Sequence, residues 1–221
     1  MKKRILSLAI SAALVLTMLP AGALAAGDKG KPPVYNKATG CYEISTPDQL
    51  LYLSGSWKDG TPRDGHYVLT ADIDMTGVKG FKPIASKKEQ GFIGTFDGQF
   101  HAIKGLRVEY EKKYAGLFGY VGNQDDQAYI KDVALLDCYV TGQQNVGALA
   151  GVNYGTITGC VVTGEVKCLD LSNSHTAGGI CGKLKEGEGP IVGHVEDCYV
   201  NADVSAPYDA GGVAGIQDGG G

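Results

Sequence analysis

Two short apolar motifs alternate along the second half of this 221-residue chain, and nothing else in the sequence limits its fold so strongly. The first reads aliphatic, two residues, aliphatic or Cys, one residue, aliphatic. It occurs at residues 103–108 (IKGLRV), 130–135 (IKDVAL), 157–162 (ITGCVV) and 195–200 (VEDCYV), with starts 27, 27 and 38 residues apart. The second reads small, small, aliphatic, any, Gly. It occurs at 115–119 (AGLFG), 147–151 (GALAG), 178–182 (GGICG) and 211–215 (GGVAG), its final glycines spaced 32, 31 and 33. Two interleaved motifs at a period near thirty point to one supersecondary unit repeated in space. The long gap holds residues 183–192, a charged, Gly-rich stretch that reads as a surface insertion.

Within the first motif, positions four and six lie two apart and share one side of a strand. Position one is three away, so a bend intervenes, and the Gly or Asp at position three supplies it. Stacking the repeats predicts three ladders. Ile103, Ile130, Ile157 and Val195 form one, Leu106, Val133, Cys160 and Cys198 the next, and Val108, Leu135, Val162 and Val200 the third. A single repeat cannot bury its apolar face, whereas a stack of them makes a continuous core. The chain has 34 glycines, about twice ordinary usage, yet 43% of its residues are hydrophobic, so it is no disordered linker. An antiparallel sandwich would explain the glycines but not the recurrence of two distinct motifs.

The first hundred residues differ. Residues 36–40 (NKATG) separate Val34-Tyr35 from 41–44 and predict a hairpin. Thr46 is a plausible N-cap, Pro47 opens a helix, Gln49 completes a capping box, and Gly55 ends the segment. Residues 67–75 and 92–98 read as strands, the latter closing on an Asp-Gly turn.

The Ala115-Gly116-Leu117-Phe118-Gly119 type of repeat resembles the GLUG motif of bacterial surface proteins, also found in non-catalytic regions of immunoglobulin A-cleaving metalloproteases. Residues 44–50, 69–75 and 94–98 resemble the N-terminal lead-in of such proteins. The resemblance covers roughly residues 40–216. It implies a mainly β fold, a right-handed parallel β-helix-like solenoid at the cell surface, and it implies no enzymatic activity.

The amino terminus sets the compartment. Lys2, Lys3 and Arg4 precede a fifteen-residue apolar run, Pro20 breaks it, and Ala23-Leu24-Ala25 offers a cleavage site. This is the pattern of a secretory signal peptide, too short to span a membrane stably. No second stretch approaches twenty apolar residues. Its removal takes the formal charge from −4 to −7, which argues against nucleic acid and anionic membranes. The expected organisation is a signal peptide at 1–25, a flexible leader at 26–33, a lead-in at 34–99 with one short helix, and repeats over 100–221, truncated at the C-terminus. The last full motif ends at Gly215, so the final coil is expected to be an open edge prone to self-association.

Chemistry is sparse. The four histidines, His66, His101, His175 and His194, never take the H-E-x-x-H spacing, and no G-x-S-x-G elbow is present. Asp72 and Asp74 are expected on one strand face with Asp97 in the next turn, a set that could hold Ca²⁺ or form an acid pair, although Asp also favours plain turn roles. Asp218-Gly219-Gly220 matches one incomplete copy of a Ca²⁺-binding nonapeptide, too little to count. Twelve tyrosines and Trp57 allow glycan stacking or, more simply, cross-strand packing. Lys104, Arg107 and Lys131 lie near the repeats without an evident carboxylate set of the kind a polysaccharide lyase needs. The six cysteines mostly take ladder slots, as core thiols do: Cys160 and Cys198 replace Leu or Val, and Cys181 replaces Phe118, Ala150 and Ala214. Cys160–Cys198 is the pair best placed to bridge, though parallel side chains hold their Cβ atoms too far apart for an easy disulfide.

No catalytic residue, metal ligand or cofactor site is assigned. The expected function is a secreted or cell-surface structural and adhesive module without activity of its own, with host or cell-wall glycan or protein as candidate partners. The alternatives are the leading part of a larger surface enzyme such as a protease, and a glycan-active β-helix protein.

Overall fold

The structure is a computed structural model that describes residues 30–55, 57, 60–170, 175–185 and 192–218. The expected signal peptide lies outside the described residues, as do residues 26–29 of the leader and 186–191 of the insertion. The chain is mainly β, with one α-helix at Pro47–Leu53 and a short 3-10 turn at Lys88–Gln90 among the described residues.

The lead-in starts as its sequence dictates. Val34–Asn36 pairs antiparallel with Cys41–Ile44, and Gly40 turns the hairpin at φ 71°. Thr46 caps the helix: its Oγ1 accepts from the Gln49 amide, and the Gln49 side chain accepts in return from the Thr46 amide. This reciprocal cap satisfies two otherwise orphaned donors. The helix buries Leu50, Leu51 and Leu53 in the same core as the strands that follow.

From there every strand pairing is parallel. Four successive segments each lay strands into three sheets. The first sheet takes His66–Leu69, Thr95–Asp97, Tyr129–Lys131, Thr156–Thr158 and His194–Glu196. The second takes Ile73–Asp74, Ala102–Lys104 with Arg107–Ala115, Ala134–Gly147, Val161–Cys168 with Thr176–Gly178, and Tyr199–Ser205 with Asp209–Gly211. The third takes Phe118–Val121, Ala150–Asn153, Cys181–Lys185 and Ala214–Asp218. The expected continuous strand over 67–75 is two strands, His66–Leu69 and Ile73–Asp74, because the chain turns between the first and second sheets there.

Residue three of the first motif is left-handed in all four copies: Gly105 at φ 66°, Asp132 at 54°, Gly159 at 63° and Asp197 at 50°. Gly and Asp are there because they reach this region at least cost. In the last three copies this residue turns the chain from the first sheet into the second. Ile130, Ile157 and Val195 are in register, preceded by Tyr67 and Phe96. Leu135, Val162 and Val200 are likewise in register.

The copy at 103–108 breaks the expected phase. Ile103 registers with Ile73 and Leu135 in the second sheet, not with Ile130, and Val108 registers with Val140 instead of Leu135. Leu106 accordingly falls opposite Cys138, since Lys104 pairs with Leu136 and Arg107 with Tyr139. The sequence 135–140 (LLDCYV) fits the motif as well as 130–135 does, and it is the true counterpart. Leu135 lies 32 residues after Ile103, the same interval that separates Gly119 from Gly151.

The second motif builds the third sheet. Phe118, Ala150, Cys181 and Ala214 stand in register, as the slot argument requires. Its last glycine is a contact point. A Cβ on Gly182 would lie 2.2 Å from the carbonyl carbon of Asn145, and one on Gly151 would lie 2.6 Å from the backbone of Tyr114. Backbone therefore packs on backbone at these places, and no side chain fits.

The core changes character along the stack. Its early part is aromatic: Tyr42 stacks on Tyr67 at 5.1 Å between ring centroids, and Phe92 on Phe118 at 5.1 Å. Trp57 stacks on Phe92 at 6.0 Å and donates from Nε1 to the Gln90 carbonyl, so it packs half-buried against the core. Later layers are aliphatic and then small, with Leu149, Ile157, Cys160 and Cys181 fully buried. All six cysteines are free thiols.

Candidate functional site

The residues singled out by sequence are spread over the molecule. Asp72 accepts at 3.0 Å from the Ala102 amide and lies 3.0 Å from His101 Nδ1. It sits in the turn, not on a strand face with Asp74. Asp74 accepts from the Thr76 amide, and hydrogen bonds from Thr76 hold its carboxyl below the usual carboxylate range. Asp97 accepts from the Gln99 amide and pairs with Lys131 at 2.8 Å. Each carboxylate is thus engaged in a turn or an ion pair, and no group of three metal-ligating side chains occurs among the described residues. His66 and His194 are exposed on separate strands, and His175 is buried near Asp170.

Lys104, Arg107 and Lys131 do have partners, which the sequence could not reveal. Lys104 lies 3.9 Å from Asp137, and Arg107 pairs with Glu109 at 2.9 Å while its guanidinium sits 4.1 Å above the Tyr139 ring. Asp218 is bound by Lys183 and Lys185 of the neighbouring strand, which hold its carboxyl down to about 2. It is a cross-strand anchor.

The surface feature that the sequence reading missed lies on the outer side of Arg107–Ala115. Along this strand the register shifts: Tyr110 pairs with Gly142, but Lys113 pairs with Gln144. One extra residue is accommodated, a bulge that locally breaks the alternation of faces. Glu111, Lys112 and Lys113 are in consequence all exposed. Tyr114 follows at φ 68°, a left-handed conformation unusual for a bulky residue. Its ring rests on Tyr120 at 4.8 Å, and Tyr120, Val152 and Tyr154 form a small cluster of their own beneath it. The only trace of this in sequence is the loss of alternation in 109–114 (EYEKKY).

Two open grooves flank the bulge, and Tyr110 lines both. One, of about 600 Å³, carries Glu109, Glu111 and Asp170 with Tyr139 and Leu169. The other, of about 560 Å³, carries Lys82, Lys87, Lys112 and Lys113 with Tyr114, and no acidic residue among the described residues lines it. Its far wall is fixed by backbone bonds: the Lys82 amide donates to Ser54 Oγ at 2.7 Å, and the Gly55 amide donates to the Lys82 carbonyl. Both volumes fall in the range of small-ligand sites.

No family model matches the chain. It is 32% identical over 151 residues to Halomucin of Haloquadratum walsbyi, an alignment covering 64% of this chain and 2% of that protein. It is 33% identical over 101 residues to a protein of Evansella cellulosilytica provisionally named a Gly-rich membrane protein, covering 42% of this chain and 11% of that one. Among solved structures it is similar to a Bacteroides ovatus protein provisionally named an immunoglobulin A1 protease. The TM-score is 0.67 at 25% identity, over 81% of this chain and 53% of that one. The chain thus spans a small fraction of the two sequence relatives and about half of the solved structure. No described helix is long and apolar enough to cross a membrane. The chain is similar to proteins of surface and membrane type.

Proposed function

We propose that the chain is a secreted or surface-displayed structural and adhesive module, built as a right-handed parallel β-helix of GLUG-like repeats and without catalytic activity of its own. In this reading residues 1–25 are removed on export, 26–33 form a leader, 34–99 begin the solenoid and 100–221 propagate it. The observation that carries it is the laying of strands from four successive segments into three parallel sheets. Such a stack offers a long rigid surface, which suits display and binding. The engagement of Asp72, Asp74 and Asp97 in turns and ion pairs supports a scaffold role over acid–base chemistry. The likeness to Halomucin and to the Bacteroides ovatus protein supports a place outside the cell. Antibody labelling of intact producing cells, with N-terminal sequencing of the mature protein, tests this. Labelled cells and a chain starting at Ala26 are expected. Labelling only after lysis would overturn the location, and turnover of immunoglobulin A or of a polysaccharide by the purified chain would overturn the non-catalytic role.

A second reading, a non-catalytic part of a larger surface enzyme, is favoured by one observation: the chain aligns with about half of a protein bearing a protease name. The gene sequence beyond codon 221 decides between them.

A further inference from the structure

We propose that the groove lined by Lys82, Lys87, Lys112, Lys113, Tyr110 and Tyr114 binds a carboxylated or sulfated polysaccharide. The inference deepens the reading of the chain as an adhesive surface module, and it rests on that reading for the biological setting alone.

Charge is the first argument. The whole chain carries a formal charge of −4, yet four lysines converge on one groove that no carboxylate lines among the described residues. Lys104, Arg107, Lys131, Lys167, Lys183 and Lys185 all pair with carboxylates. The four groove lysines do not pair, although all are exposed and Glu109 and Glu111 lie on the same strand as two of them. Like charges held close repel one another, so the arrangement is at its most favourable with a polyanion between them.

Construction is the second argument. In a regular strand Lys112 and Lys113 would point to opposite faces. The bulge after Tyr110 brings both into the groove. The left-handed backbone at Tyr114 is a local strain set in the same turn of chain, and strain of this kind concentrates where a side chain is held for a purpose. The opposite wall is pinned by the Lys82–Ser54 and Gly55–Lys82 hydrogen bonds, and the Tyr120 amide donates to the Ala85 carbonyl beside Ser86. The site is therefore largely formed before any ligand arrives, which lowers the ordering cost of binding.

Chemistry selects the class of polyanion. Tyr110 and Tyr114 present rings against which the C–H face of a sugar can rest, and Ser54 and Ser86 offer hydroxyls among the ammonium groups. Rings, hydroxyls and fixed cations together match a charged sugar, whereas an acidic peptide would use the cations alone.

The test uses the mature chain with polygalacturonate and chondroitin sulfate as probes, and with neutral dextran and polyglutamate as comparisons, by calorimetry at low and physiological salt. Binding of one or both acidic polysaccharides is expected, weakening as salt rises, with none to dextran and weaker binding of polyglutamate. The double variant Lys112→Ala, Lys113→Ala should lose about tenfold or more. Lys82→Glu with Lys87→Glu, on the other wall and outside the strands, should do the same and guards against misfolding of the first. Tyr110→Ala should weaken the polysaccharides and leave polyglutamate unchanged, while Lys37→Ala, in the distant hairpin turn, should change nothing. Absence of binding to either polysaccharide, polyglutamate bound as tightly as the sugars, or full binding by both lysine double variants would overturn the assignment. None of these outcomes alters the cell-labelling result, so the two readings fail separately.

Discussion

Cys160 and Cys198 hold the same place in successive strand layers, the Cys160 thiol donating to the Thr158 carbonyl at 3.2 Å and the Cys198 thiol to the equivalent Glu196 carbonyl at 3.2 Å. The pairs Thr158–Glu196 and Val161–Tyr199 on either side keep the two residues level. The neighbouring Cys160 thiol pulls the Cys198 thiol down to about 7, while Cys198 and burial push the Cys160 thiol up. Burial, with a smaller push from Asp137 and Cys198 respectively, raises Cys138 and Cys181 to about 12. Because the thiolate is the nucleophile, Cys198 should alkylate with a midpoint near pH 7, against about 8.5 for an ordinary thiol. Cys138, Cys160 and Cys181 should stay unlabelled until the chain is unfolded. Iodoacetamide labelling across a pH series, read by peptide mass spectrometry, checks this. A Cys198 midpoint at or above 8.5, or three occupied disulfides in the exported protein, would contradict it.

The left-handed corner gives a second prediction. Gly159 turns at φ 63° and Asp197 at φ 50° in equivalent positions. Asp197→Gly should change stability by no more than about 0.5 kcal/mol, because both residues reach this region. Gly159→Val should cost about 1–3 kcal/mol, since a β-branched residue is strained there and its Cβ would lie 2.5 Å from Asp132 Oδ1. Urea unfolding of the two variants gives the comparison, and equal losses would refute the corner argument.

Two glycines of the second motif should behave oppositely. A Cβ on Gly182 would meet the Asn145 carbonyl carbon at 2.2 Å and the Val146 nitrogen at 2.3 Å, whereas one on Gly212 would meet nothing within 4 Å. Gly182→Ala is expected to destabilise by about 3 kcal/mol or more, and Gly212→Ala to stay within about 0.5 kcal/mol. Thermal melts of the pair decide it.

The last described segment carries a fourth expectation. Its strands each stand at the end of a sheet, and Tyr199, Tyr208, Val213 and Ile216 are 60%, 56%, 44% and 37% exposed. Unpaired edges beside apolar side chains template association. The 26–221 chain should associate with rising concentration in sedimentation velocity, and Val213→Lys with Ile216→Lys should reduce it. A single monomer peak at every concentration, with or without the substitutions, would count against this edge as a contact surface.

Much of the architecture is written in short-range patterns. The capping box at Thr46 and Gln49, the hairpin at 36–40, the left-handed Gly or Asp at position three and the shared slot of Phe118, Ala150, Cys181 and Ala214 all follow from residue type at fixed spacing. Each depends on local sterics or on a periodicity within one strand, and these are properties a sequence carries directly. Phase was harder. The motif at 103–108 matches both 130–135 and 135–140, and only long-range pairing chose the second.

The candidate site belongs almost wholly to the tertiary level. Lys82 and Lys87 come from one loop, and Lys112 and Lys113 from a strand some 25 residues later. What brings them together is the parallel stacking of segments and a one-residue bulge opposite Gln143. The ion partners of Lys104, Arg107 and Asp218 were equally hidden, two of the three lying more than 30 residues away. Sequence by itself determined the repeating unit, because each repeat must bury the same apolar positions against its neighbours. The tertiary structure decided which charges meet, because exposed side chains carry no periodic constraint and find their neighbours only when the layers are stacked.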